Sequence, residues 1–441
     1  RHPKLVEELV PGKLPLGVIT RVLQNLLTES VPIRDMRSIA EALLEAAART
    51  QDPDTLTALV RPKLGRMIVQ SLLENAETLQ VMTLAPQMEQ LLHTVLQQTA
   101  PGVAPVLEPG MAETGGAPTW LTGTYDPDLN LVYWGTGNTG PWNPNYRGGD
   151  SLYAASVIAV RPSTGELVWH YQFTPNDIYD YDAVSEMILG DLKVDGKPQK
   201  VLMQLNRNGF SYVLDRANGK LLSAKPFVDG VNWATGVDLK TGMPIEAAGN
   251  KMRPGLKRKA VNVCPNLLGG KNWMPMSYNK QTGLVYIPTI NLCMDMEAVQ
   301  EDYKRGQFYL SVNFDLGKWG PGGHGGGLKA WDPVKQKEVW FFKEQLPFNG
   351  GTMTTSSGLV FAGDIKGIFR AFDGKTGKEL WKFNTGSGIT AAPMTYTIDG
   401  KQYVAVVSGR TQSIPAFFGE LGEKMVNASP EGGTLFVFAV N

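Results

Sequence analysis

The sequence predicts a mainly β chain built as a β-propeller, preceded by a small mainly α-helical unit. Three observations carry this. Residues 1–113 contain no Phe, Trp or Tyr, while all 10 Trp, 14 Tyr and 16 Phe of the 441 residues lie beyond them. Only 5 of the 49 glycines fall in that front part. Beyond it, one hairpin plan recurs four times. So clean a break in composition puts a junction near Glu113–Thr114, and two folding units suit a chain of this length.

The front part, residues 1–113, has a helical period. From Val18 to Leu27 apolar residues recur at Val18, Ile19, Val22, Leu23, Leu26 and Leu27, one stripe of a 3.6-residue helix. A second helix is expected over Arg34–Arg49, with Met36, Ile39, Leu43 and Ala47 facing one way. Asp52 before Pro53 suits an N-cap followed by a first helical position. That third helix should run through Leu64, Ile68 and Leu72, kinked at Pro62. His2 and His93 stand alone among helical residues and read as ordinary surface or core histidines.

The back part, residues 114–441, changes to short strands rich in Val, Tyr, Trp and Phe. SVIAVRPSTGELVWHYQF (156–173), FSYVLDRANGKLLSAKPF (210–227), GLKAWDPVKQKEVWFFKE (327–344) and IFRAFDGKTGKELWKFNT (368–385) share one plan. Each has a strand, a turn of the Asp-x-x-x-Gly-Lys kind, and a second strand that usually reaches Trp. Trp340 and Trp381 lie 41 residues apart, about one propeller blade. The turn glycines supply the positive φ of a tight hairpin. A β-sandwich also has hairpins, but four copies of one hairpin favour the propeller. GGTLFVFAVN (432–441) reads as a closing strand, and the glycine-rich KWGPGGHGGG (318–327), with His324, as a mobile loop.

Charge narrows the function classes. The front part holds 10 Lys/Arg and 13 Asp/Glu, leaving 32 and 29 behind it, and the net charge is zero. Neither balance suggests a nucleic-acid footprint or a polybasic membrane patch. No run of about 18 apolar residues offers a membrane span. The chain opens at Arg1 without a signal-peptide pattern, which reads as a fragment.

HPKLVEEL (2–9), LPLGVITRVLQNLL (14–27), VPIRDMRSIAEALLEAAARTQDP (31–53) and LEPGMAE (107–113) resemble the cytoplasmic C-terminal domain of the flagellar type III export-gate protein. That resemblance implies docking of export chaperones and substrates. GGAPTWLTGTYDPDLNLVYWGTGN (115–138), PWNPNYRGGDSLY (141–153) and HYQFTPNDIYDYDAV (170–184) resemble the quinoprotein alcohol dehydrogenases. This second resemblance implies a partial eight-bladed propeller, of which the last four to five blades are present. It also implies pyrroloquinoline quinone (PQQ) with a lanthanide(III) or Ca2+, a small primary alcohol as substrate, a cytochrome c-type electron acceptor and a periplasmic location. Together the two read as a chimeric chain.

Within that resemblance Trp120 matches the tryptophan under the quinone ring; a core tryptophan is the plain alternative. Asn138 matches an amide-oxygen ligand of the metal, against a turn residue after Gly137. Asp180 matches the catalytic base, kept ionised by the nearby cation. The alternative is a solvated loop aspartate among Asp177, Asp180 and Asp182. Arg207, in NRNGF (206–210), matches the arginine that hydrogen-bonds the quinone carbonyls, against a surface arginine. Asn272 and Trp273 match a stretch near the cofactor, and Asn349 stands where methanol-oxidising relatives carry a tryptophan.

In an extended segment Asp180 and Asp182 share one side. Lanthanide-dependent relatives carry aspartate at the second position, where a further anionic oxygen suits a trivalent ion. A solvent-facing loop residue is the other reading of Asp182. The two cysteines, Cys264 and Cys293, match a disulfide of that family; two buried thiols are the alternative. The family's metal-binding glutamate has no counterpart in 1–113, so weak cofactor binding and little turnover are expected.

Overall fold

The computed structural model describes residues 9–29, 31–48, 50–65, 67–68, 116–194, 196–304, 307, 309–347, 350–410 and 414–439. They fall into two compact units, divided between Glu89 and Gln90. The junction expected at Glu113–Thr114 lies outside the described residues, as do His2, His93 and Asn349.

The first unit is helical. Helix α1 spans Leu16–Thr28, α2 Met36–Ala46 and α3 Pro53–Val60. Asp35 and Asp52 cap α2 and α3 by accepting from the Ser38 and Thr55 amides. Val22, Leu26, Ile39, Leu43, Leu56 and Val60 meet in the core, but Leu27 and Met36, expected on the same stripes, stay exposed. The kink expected at Pro62 is instead a 3-10 turn, Arg61–Leu64. A proline there has no N–H to donate, and its ring crowds the carbonyl four residues back. Leu72 lies outside the described residues.

The second unit is a succession of antiparallel sheets. The first sheet runs β1 (Thr124–Asp126), β2 (Leu131–Gly135), β3 (Ser156–Val160), β4 (Leu167–Gln172). The second runs β5 (Ile188–Val194), β6 (Lys197–Leu205), β7 (Phe210–Asp215), β8 (Leu221–Pro226). After a two-stranded ribbon, β9 (Ala234–Val237) with β10 (Pro244–Glu246), comes β11 (Lys259–Val263). The third sheet is β12 (Ser277–Asn279) and β13 (Leu284–Ile290) with β16 (Gly326–Asp332) and β17 (Lys337–Glu344). Between β13 and β16 the chain makes β14 (Leu292–Ala298) and β15 (Val312–Trp319), which pair as β11-β14-β15. The fourth sheet is β18 (Thr352–Thr354), β19 (Leu359–Gly363), β20 (Ile368–Asp373), β21 (Glu379–Asn384). A three-stranded sheet ends the unit: β22 (Met394–Ile398), β23 (Lys401–Ser408), β24 (Thr434–Ala439), with helix α4 (Gly419–Val426) between the last two.

The sheets stack face to face in chain order. Because side chains alternate across a strand, each inner strand serves two interfaces at once. In β13, Val285 and Ile287 pack towards Met203 and Val213 of the second sheet. Tyr286 points the other way, to Val360 and Phe372 of the fourth. Phe361, Phe369 and Ala371 continue the stack to Val404 and Val406. Each large side chain so buried contributes roughly 1.5–3 kcal/mol, which explains why these strands read as continuous apolar runs. Five stacked blades are the partial propeller the repeats called for. All four repeated segments are the inner-to-outer hairpins of complete blades: β3–β4, β7–β8, β16–β17 and β20–β21.

In the glycine-rich stretch 318–327, Trp319 and residues 321–323 are exposed, while 324–327 are packed. His324 is buried, its carbonyl accepts from Asn291 Nδ2 at 3.0 Å, and its ring meets Phe341 edge to face. The glycines there serve close approach: a Cβ on Gly326 would lie 2.0 Å from the Thr289 carbonyl oxygen.

Candidate functional site

The site lies where the loop after β4 meets the β6–β7 turn. In Tyr179-Asp180-Tyr181-Asp182 the alternation decides who faces what. Tyr179 and Tyr181 stack at 5.1 Å and pack on Trp233 in the core. The two aspartates therefore face the opposite side. Asp177 anchors the loop, its carboxylate accepting from the Tyr179 and Tyr181 amides at 3.0 and 2.8 Å. Its carbonyl takes Arg147 Nη2 at 2.7 Å. Asp180 is held at φ +65°, a left-handed conformation that aspartate tolerates better than most non-glycine residues.

Asp182 gathers the rest. Its Oδ2 accepts from Trp120 Nε1 at 3.0 Å and from Arg207 Nη1 at 2.7 Å. Its Oδ1 accepts from the Asn138 amide. Gly137 makes room for this, since a Cβ there would sit 2.7 Å from that same oxygen. Arg207 Nη1 also donates to the Asp180 carbonyl at 2.9 Å and lies 3.8 Å from its carboxylate. Behind Arg207, Gly269 at φ +80° leaves only 2.5 Å for a Cβ against the arginine Cα.

Two carboxylates thus share one guanidinium, and both are largely buried. Burial pushes the Asp180 carboxyl well above its ordinary range; Arg207 pulls it down, and Asp182 and Asp177 push it up again. Burial likewise raises Asp177 to about 6, against its two amide donors and Arg147. The sequence-based expectation that Asp180 stays ionised rested on a cation beside it. Asp177 and Asp182 are not solvated loop residues, being 1% and 6% exposed, while the Asp180 side chain keeps 16% of its surface.

Trp120 keeps 44% of its surface exposed while its indole nitrogen is tied down, so its ring is a fixed open platform. Among the described residues nothing donates to Asn138 Oδ1, while its Nδ2 donates to the Thr139 carbonyl at 3.2 Å. Arg207 Nε is buried without a partner among the described residues. Asn272, by contrast, spends its amide within its own loop, donating to the Leu268 carbonyl and accepting from the Trp273 amide. Trp273 is a partly buried member of the core. Among the described residues no group of three or more His, Cys, Asp or Glu is arranged as a metal cluster. What meets here is the Asp180 and Asp182 carboxylates, at Arg207, and the backbone N–H of Asn138, on Asp182. A surplus negative charge in a buried place and an unpartnered guanidinium nitrogen fit a cation and an anionic planar ligand in chemistry.

Sequence reasoning missed the Glu186–Lys271 pair. Lys271 is fully buried, its Nζ 3.1 Å from Glu186 and 2.9 Å from the Asn272 carbonyl. Burial raises the carboxyl and lowers the ammonium, each against the pull of its partner. Nothing in GGKNW marks a lysine for burial, because lysine is almost always exposed.

The beta-propeller domain of glucose/ethanol/alcohol dehydrogenases matches residues 97–224 and 324–404. The quinoprotein alcohol dehydrogenase PedH of Pseudomonas putida is 45% identical over 329 residues, covering 74% of this chain and 55% of its own. The larger unit resembles the quinoprotein alcohol dehydrogenases. The lanthanide-dependent methanol dehydrogenase of Methylacidiphilum fumariolicum is 41% identical over 366 residues, 78% of this chain and 59% of its own length. A solved europium-containing methanol dehydrogenase superposes with a TM-score of 0.70 at 41% identity, over 74% of this chain and 60% of that one. The chain therefore spans a little over half the length of these quinoprotein relatives. The FHIPEP family matches residues 1–116, so the two parts of the chain resemble two different families. Cys264 and Cys293 form a disulfide, with Cα atoms 4.4 Å apart. Among the described residues no helix is long and apolar enough to cross a membrane.

Proposed function

We propose that residues 114–441 carry the alcohol-oxidising half-site of a quinoprotein dehydrogenase, and residues 1–113 a separate helical unit of export-gate type. The observation that supports the first reading best is the convergence on Asp182 of Trp120, Asn138 and Arg207, residues 62, 44 and 25 positions away. Bound PQQ supplies the two-electron oxidant. Trp120 would lie under its ring, Arg207 would donate to its carbonyl oxygens, and Asn138, Asp180 and Asp182 would hold the cation. Asn272, Trp273 and Asn349 are assigned to the surrounding shell.

Asp180 is the group that takes the hydroxyl proton of a small primary alcohol. Its side chain, 3.8 Å from Arg207 Nη1 and 16% exposed against 8% for Asp182, is the carboxylate of the pair that a small alcohol can reach. Asp182 favours a lanthanide(III) over Ca2+, since a trivalent ion of similar size is better neutralised by one more anionic oxygen. The name of the lanthanide-dependent relative supports this choice. The electrons pass to a cytochrome c-type acceptor in a periplasmic setting, for which the Cys264–Cys293 disulfide speaks.

The test is equilibrium dialysis of the whole chain against PQQ with and without lanthanum(III). Metal-dependent uptake lost in Arg207→Ala is expected, with little dye-linked ethanol oxidation in this chain. Metal-independent uptake, or uptake equal in the variant, overturns the reading.

A further inference from the structure

Arg207 is held from behind by a closed ring of buried groups. Its own carbonyl accepts from the Gly270 amide at 2.9 Å, and a Cβ on the neighbouring Gly269 would lie 2.5 Å from its Cα. The next residue along, Lys271, is fully buried; its Nζ donates to the Asn272 carbonyl at 2.9 Å and to Glu186 Oε2 at 3.1 Å. Glu186 Oε1 accepts from the Met276 amide, so one carboxylate grips the segment 271–276 at both ends. Four residues before Glu186 stands Asp182, whose carboxylate takes Arg207 Nη1 at 2.7 Å. The ring therefore runs from Arg207 through Gly270, Lys271, Glu186 and Asp182 back to the guanidinium.

Gln204 spans the inside of this ring. It is 0% exposed, and its Nε2 donates to the Ala183 and Ser185 carbonyls at 2.8 and 2.9 Å. Its Oε1 accepts from Asn206 Nδ2 at 3.0 Å. One amide thus ties the turn that presents Arg207 to the segment that leaves Asp182. Stability does not account for the buried pair, since apolar residues of like volume in place of such a pair usually do as well. Burial lowers the Lys271 ammonium, Glu186 holds it up, and the Arg207 charge lowers it further, so Lys271 lies within the field of that guanidinium.

We propose that Glu186, Lys271 and Gln204 are positioning residues that fix the Arg207 guanidinium between the two aspartates and a bound quinone. This rests on the quinone reading proposed above. Arg207 Nη1 serves both the Asp180 carbonyl and the Asp182 carboxylate, so the frame sets how one cation is divided between the carboxylates and the cofactor. With the frame removed, the quinone loses an aligned donor. The carboxylates lose a competing cation and open to a metal ion.

The test uses a Glu186→Gln, Lys271→Met double variant, which removes both charges and leaves an acceptor for the Met276 amide, and a separate Gln204→Leu variant. PQQ uptake in lanthanum(III) is read by equilibrium dialysis, and terbium(III) affinity by tryptophan-sensitised emission, on the whole chain of each. PQQ binding should weaken by about tenfold or more in both variants, while terbium(III) binds as tightly as in the unaltered chain or more tightly. A merely structural defect weakens both ligands together, and that result overturns the proposal, as does PQQ uptake that both variants keep. Should the double variant fail to fold, Gln204→Leu decides. An unaltered chain that takes up PQQ but gives no terbium emission also overturns it. No PQQ uptake by the unaltered chain overturns the quinone reading, and this inference with it.

Discussion

The indole nitrogen of Trp120 donates to the Asp182 carboxylate at 3.0 Å, and the same oxygen takes Arg207 Nη1 at 2.7 Å. One carboxylate thus fixes an aromatic platform and a guanidinium, the three groups coming from three separate loops. Removing it leaves Arg207 buried beside Asp180 alone. Asp182→Ala should destabilise the larger unit by about 3 kcal/mol, the range for breaking a buried pair. Asp182→Asn keeps an acceptor for Trp120 and should cost less. Guanidinium unfolding followed by near-ultraviolet circular dichroism checks this, and equal midpoints for all three proteins would contradict it.

Much of the blade architecture was legible because a strand buried on both faces leaves a local record. Val285, Tyr286 and Ile287 are apolar without interruption, and the turns Asp215–Gly219 and Asp373–Gly377 repeat their own chemistry. Asp373 Oδ1 accepts from the Lys375 and Thr376 amides, as an Asp at the head of such a turn does. The insertion of β14 and β15 into the third blade was not legible, since pairing with β11 is set by partners about 35 residues away. Trp120, Asn138, Asp180, Asp182 and Arg207 were singled out through their motif. That Trp120, Asn138 and Arg207 meet at Asp182 depends on how the first two blades stack, which no local pattern encodes. Lys271 went unread because its partner Glu186 lies 85 positions away.

The disulfide closes a loop of 29 residues between the β11 end and β14. In the chain-entropy view such a closure stabilises by about 3–4 kcal/mol. A Cys264→Ser, Cys293→Ser double variant should unfold at correspondingly lower denaturant, and reduction of the unaltered chain should reproduce the shift. A midpoint unchanged by either treatment would remove the disulfide from the account of stability.

Asp295 ties three strands together: it binds Lys259 at 2.8 Å, Lys318 at 2.6 Å and the Asn262 amide at 2.9 Å. Burial opposes its ionisation, but those hydrogen bonds outweigh it and hold the carboxyl down to about 2, from an ordinary 3.8. A carboxyl lowered in the fold stabilises above its ordinary value, and that stabilisation is lost as pH falls through the folded one. The contribution is on the order of 2 kcal/mol. Thermal melts of the unaltered chain and Asp295→Asn should therefore differ at about pH 6 and converge towards about pH 2. A gap that stays constant over that range would show that the ion pairs do not act through this titration.

A cation site organised by Asp182 beside the Trp120 platform would be read directly by terbium(III) luminescence, which reports the ion and the indole at once. Excitation of tryptophan sensitises terbium only over short distances, and Trp120 touches the carboxylate that would bind the ion. Saturable sensitised emission is expected from the whole chain, displaced by lanthanum(III) more readily than by Ca2+. Emission should fall about tenfold in Trp120→Phe, and both emission and affinity should fall in Asp182→Ala. Emission unchanged in both variants, or none from the unaltered chain, would contradict it.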